Sequence, residues 1–96
     1  MGYSLTLQAE VDFDHIYDTG LRQFGSTQGD AYAAGLKRIF EFLAAFPHAA
    51  RERLEVSPPV RAFSYKAHVV VYDIVEGDIV VLRLRHSRED WLANLS

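Results

Sequence analysis

Tyr3, Leu5 and Leu7 alternate with Ser4, Thr6 and Gln8, the period of two expected of a strand with one buried face. The period then changes. Phe13, Ile16, Tyr17, Leu21 and Phe24 recur at intervals of three and four, which predicts an amphipathic helix with Asp12, Asp14 and Asp18 toward its sides and near its N-terminus. Gly25 stands where a left-handed C-terminal cap belongs, and Ser26 is suited to cap a second helix. In that second helix Tyr32, Leu36, Ile39, Phe40, Leu43 and Phe46 trace the apolar face, Phe42 falls off it, and Pro47 ends it. Two helices joined by almost no loop predict an antiparallel hairpin.

HAARERLEVSPP has no periodicity and reads as a surface connection. VRAFSY, HVVVYDIV and DIVVLRLR follow as three β-rich runs, broken at Lys66-Ala67 and at the tight turn Glu76-Gly77, and predict an antiparallel meander. The fold class is therefore α+β, in the order β-α-α-β-β-β. A helical hairpin packs on one face of a small, twisted, mainly antiparallel sheet, and residues 1–96 form a single domain. Strict alternation turns Val70, Tyr72, Ile74, Val80, Leu82 and Leu84 toward the helices. It leaves Val69, Val71, Ile79 and Val81 on the opposite face beside Asp73, Arg83 and Arg85. Such an aliphatic outer patch suits a partner. The tail REDWLANLS has the make-up of a turn or two of helix capped by Ser87.

Composition narrows the function classes. With 96 residues, 49% hydrophobic and 24% charged, the chain has the make-up of one domain with one modest core. It has no cysteine, hence neither disulfides nor thiolate chemistry, which fits a reducing, cytoplasmic setting. Its apolar runs are too short to span a bilayer and no secretory signal opens it; the match of Gly2 and Thr6 to an acylation pattern is a short one that a strand already explains. Net charge is −3, and residues 1–30 carry five acidic groups against Arg22 alone, so strong direct binding to nucleic acid is not expected.

The segment LRLRHSREDW, residues 82–91, concentrates the remaining chemistry. Arg83 and Arg85 read either as target contacts or as edge charges that discourage strand-to-strand aggregation. His86, like His68, suits a hydrogen-bonded structural role better than that of a general base. Trp91 either anchors the tail or serves as an interface hot spot. His15 and His48 lack the spacing of a metal site, and no catalytic triad or phosphate-binding glycine loop is visible; Gly25 and Gly29 fit helix capping.

Taken in order, YSLTLQAEVDFDHIY, QFG, AYAAGLKRIFEFLAAFP, VRAFSYKAHVVVYDIV and VVLRLRHSRED resemble the ParE toxins of the RelE/ParE superfamily, the toxin halves of type II toxin–antitoxin pairs. The resemblance runs nearly end to end. It implies a toxin without catalytic residues, metal or cofactor, acting by protein–protein binding on DNA gyrase and neutralised by a ParD-like antitoxin whose extended segment wraps it. Arg83, Arg85, His86, Arg88 and Trp91 are the candidate target contacts; Phe42, Val69, Val71, Ile79 and Val81 are the candidate antitoxin contacts. The rival expectation is a ribosome-dependent mRNA endonuclease like the RelE branch, using Arg61, Arg85 and His86. Against it, no tyrosine follows His86 and Lys66 is the only lysine of the sheet region. A third is a toxin fold that has lost toxicity and serves as an antitoxin-binding module.

Overall fold

The computed structural model describes residues 2–93. Strand β1 (Tyr3–Leu5) leads into α1 (Leu7–Ala45), a 3-10 turn (Pro47–Ala49), and strands β2 (Glu52–Arg53), β3 (Val60–Tyr65), β4 (His68–Val75) and β5 (Asp78–His86). The helix begins earlier than the apolar periodicity indicates, because Thr6 stops the strand. Its hydroxyl accepts the Ala9 N–H at 3.1 Å and donates to the Leu82 carbonyl at 2.8 Å, capping the helix and tying it to β5 in one residue.

α1 is interrupted at Gly25, whose φ of 85° and ψ of 173° only glycine adopts without strain. The arms on either side, 7–24 and 26–45, fold back on each other. Tyr17 Oη donates to Asp30 at 2.5 Å, although the two would lie roughly 20 Å apart in an unbroken helix. The expected hairpin therefore forms. Gly29 does not cap it: a Cβ there would come within 3.0 Å of the Leu21 nitrogen, so Gly29 lets the two arms approach closely.

The sheet order is β1-β5-β4-β3-β2, with β1 parallel to β5 and every other pair antiparallel. Both edge strands are very short, which limits edge-to-edge association. β2 lies in the stretch expected to be pure connection; two residues are too few to leave a periodic signal. The β4–β5 turn is the tight hairpin expected, with Glu76 and Gly77 both at positive φ.

The core between sheet and helices holds Leu36, Phe40 and Leu43 against Val70, Tyr72, Ile79, Val81 and Leu84. In β4 the faces are as alternation predicts. In β5 they are not, because pairing jumps from Val71↔Arg83 to Tyr72↔Val81 and leaves Leu82 as a bulge. One extra residue inverts everything before it: Ile79 and Val81 enter the core at 0% exposure, whereas Leu82 joins the opposite face. That face is not open either. Val69 and Val71 are buried there together with Val60, with Val56, Ala62, Leu82 and Trp91 packed around them. Phe24 and Phe46, placed by periodicity on the helical stripes, are 63% and 60% exposed.

Candidate functional site

β1 ends at Leu5 while β5 runs on to His86, so the last residues of β5 have an unpaired edge. Asp12, on the first helical arm, takes the place of the missing strand. Its carboxylate accepts the Leu84 N–H at 3.0 Å and the Arg83 guanidinium at 2.8 Å (Nε) and 3.2 Å. Burial pushes the Asp12 carboxyl upward, but the hydrogen bonds from Arg83 and Leu84 and the charges of Arg83 and Arg85 outweigh it and hold the group below its ordinary value. Arg83 is correspondingly raised, first by its hydrogen bond to Asp12. Arg85 is engaged in the same way, with a two-pronged bond to Glu89 at 2.9 and 3.0 Å. Glu89 also accepts the His86 N–H at 2.9 Å, so the chain turns sharply after β5 rather than starting the helix expected of the tail.

Beside this strand end a cleft of about 980 Å³ opens between the helical hairpin, the β3–β4 turn and β5. Tyr32 Oη lies 2.6 Å from His68 Nδ1, and the His68 ring meets the His86 ring edge-on at 5.4 Å. His86 Nδ1 accepts the Arg88 N–H at 3.1 Å. Burial, and secondarily the neighbouring His86, lowers the His68 pKa, so His68 is neutral at neutral pH. Lys66, at a positive φ of 52°, holds its ammonium 5.9 Å from the Tyr32 ring centroid and 5.4 Å from that of Tyr65. Gly35 makes room for this arrangement, since any side chain there would collide with Tyr65 Oη.

The expected site residues separate into groups. Arg83, Arg85 and His86 come together at the cleft rim, with Arg88 exposed just beyond. Trp91 lies on the other face of the sheet, packed on the Val60, Val69 and Val71 cluster with the Arg53 guanidinium 5.4 Å over its ring; it anchors the tail. Arg61 is not at the cleft. It pairs with Tyr72, four residues along β4 from His68 or roughly 13 Å, and donates to the Ala50 carbonyl at 2.6 Å. The trio Arg61, Arg85 and His86 is therefore not one assembly. Phe42 is 40% exposed, and its ring touches those of Phe46 at 5.4 Å and Phe63 at 5.7 Å, forming an aromatic ridge along the open flank of the second arm. Ile79 and Val81, expected beside it as outer surface, present none. Tyr32 and Lys66 are functional candidates that sequence reasoning missed: one reads as a stripe residue, the other as a break between strands. Among the described residues no cluster of His, Cys, Asp or Glu is arranged to hold a metal ion, and no helix is long and apolar enough to cross a membrane.

Comparison with known proteins agrees with this architecture. A family model described as ParE toxin of type II toxin-antitoxin system, parDE, matches residues 3–91. Toxin ParE1 of Mycobacterium tuberculosis is 31% identical over 94 residues, covering 97% of this chain and 96% of that protein. Toxin ParE3 of Caulobacter vibrioides is 30% identical over 84 residues, covering 88% and 84%. A solved structure of the chromosomal ParDE TA system from P. aeruginosa contains a chain with the same fold, with a TM-score of 0.76 at 19% identity over 90% of this chain and 95% of that one. With the family model spanning the chain from β1 to Trp91 and two relatives matched nearly end to end, this chain belongs to the ParE toxin family of type II toxin–antitoxin systems.

Proposed function

We propose that this chain arrests growth by binding DNA gyrase, without catalysis of its own, in the cytoplasm, and that a ParD-like antitoxin neutralises it. Support for a protein target comes from the state of its arginines. Arg83 and Arg85 are held by Asp12 and Glu89, and the chain carries a net charge of −3, both of which weaken attraction for a nucleic-acid backbone. What the two ion pairs do is fix the backbone after β5. They project His86 and Arg88 from a rigid base, which suits recognition of a carboxylate-bearing protein surface. Arg83 and Arg85 thus act as braces of the target-facing end, and Trp91 as its anchor.

The antitoxin is assigned to the ridge of Phe42, Phe46 and Phe63. Three touching rings on an exposed flank are the sort of apolar anchor into which an amphipathic segment packs. The P. aeruginosa chain of like fold belongs to a ParDE toxin–antitoxin system, which supports a partner of that kind. Val69 and Val71 would join such an interface only if the tail lifted off them. Charge reversal by Arg88→Glu tests the target-binding end: it should abolish inhibition of gyrase supercoiling while leaving the fold and antitoxin affinity unchanged. Full inhibition by that variant would remove the target-binding end from β5.

A further inference from the structure

The cleft is more than a protein-binding rim requires. Its two carboxylates are engaged internally, Asp12 by Arg83 and Leu84 and Glu89 by Arg85 and His86, while Lys66, Arg38 and the imidazoles of His15, His68 and His86 also line it. The ammonium of Lys66, an exposed residue, lies 5.9 and 5.4 Å from the Tyr32 and Tyr65 ring centroids, which biases it toward the cleft. Phe24, 63% exposed at the end of the first arm and with no place in the core, lines the same cleft. A cleft of about 980 Å³ lies at the upper end of the size usual for small-ligand sites. A cation and imidazoles lining the same cleft as an unused aromatic face describe a ligand with a dianionic group and a planar ring. From this juxtaposition we infer that the cleft binds a nucleoside monophosphate, its phosphate against Lys66 and the His68–His86 pair and its base on Phe24. The small ligand is favoured over a polymer by the net charge of −3, which opposes a long phosphate backbone.

Nucleotide binding is tested on the intact chain, without protein partners, by following the His68 and His86 ring resonances while adenosine 5′-monophosphate is added at constant ionic strength. Saturable shifts of both are expected. Lys66→Asn, chosen because asparagine tolerates the positive φ, should weaken binding of both the nucleotide and inorganic phosphate about tenfold. Phe24→Ala should weaken the nucleotide about tenfold and leave inorganic phosphate unchanged. Shifts that grow linearly without saturation, or equal affinity in the Lys66→Asn chain, would overturn the site. An unchanged nucleotide affinity in the Phe24→Ala chain would overturn the nucleoside assignment, and a short oligonucleotide that binds more tightly than the monophosphate would overturn the small-ligand one.

Discussion

Replacing Asp12 with alanine removes three hydrogen bonds at once and leaves the Arg83 guanidinium and the Leu84 N–H without the acceptor that the fold supplies. Bonds to a charged partner contribute about 1.5–3 kcal/mol. The Asp12 and Arg83 side chains are 16% and 18% exposed, so some of that attraction is screened and the low end applies to the pair, about 2 kcal/mol. The Leu84 N–H, at a strand edge with no neighbouring strand, adds about 1 kcal/mol when orphaned. The expected loss is about 3 kcal/mol. For a domain of this size that is a large fraction of the about 5–15 kcal/mol available, and a fall in Tm of at least about 12 °C. Urea denaturation of the Asp12→Ala, Arg83→Ala and double variants closes the cycle, with an expected coupling of about 1–2 kcal/mol. Because the folded-state pKa of Asp12 is depressed, its contribution is fully present above the ordinary value of 3.8 and disappears as the pH falls through the lower folded value. The alanine variant should lack that acid-side decline. A loss under about 1 kcal/mol, or additive single variants, would refute the view that Asp12 replaces a strand and braces the end of β5.

Three further outcomes follow from the same geometry. Phe42→Glu, which places a charge within the aromatic ridge, should weaken antitoxin binding by at least ~2 kcal/mol in a calorimetric titration; unchanged affinity with the fold intact would move the antitoxin elsewhere. Trp91→Ala should destabilise the chain by about 2 kcal/mol, less than for a fully buried tryptophan, and raise dye binding as the valines beneath it are uncovered; a change under about 0.5 kcal/mol would detach the tail from the sheet. His68, whose folded pKa is lowered by burial, contributes stability that is fully present above its ordinary value of 6.5 and is lost as the pH falls through the folded pKa. A thermal-melt series from pH 7.5 downward should therefore show a decline that His68→Gln lacks, and identical pH profiles would contradict the buried neutral histidine.

Much of this fold is legible in the chain because local signals agree with it. Gly25 between two apolar stripes marks the hairpin, and Glu76-Gly77 marks the β4–β5 turn. The bulge at Leu82 is different. DIVVLRLR is aliphatic on both faces through its first half, so a one-residue insertion leaves no trace in the pattern, and strict alternation puts Ile79 and Val81 on the wrong face. The cover over Val69 and Val71 comes from Val56 and Trp91, beside Ala62 and Leu82 of the neighbouring strands, and the approach of Val56 and Trp91 depends on the path of an irregular loop and tail. Tyr32, Lys66 and His68 belong to two segments more than thirty residues apart. Only the return of the second arm over the β3–β4 turn brings them together, which no spacing rule encodes. Phe42 is the contrasting case: its displacement from the helical stripe indicates partial exposure directly, and it is 40% exposed.

The most direct measurement is gyrase supercoiling of relaxed plasmid with the purified chain, run beside translation of a defined mRNA at the same protein concentrations. Loss of supercoiling with accumulation of cleaved DNA, intact mRNA, and relief by a ParD-like antitoxin are the expected results. Codon-dependent cleavage of the translated mRNA with supercoiling unaffected would contradict them, and would turn the Tyr32, His68 and His86 cleft from a binding site into a candidate catalytic centre.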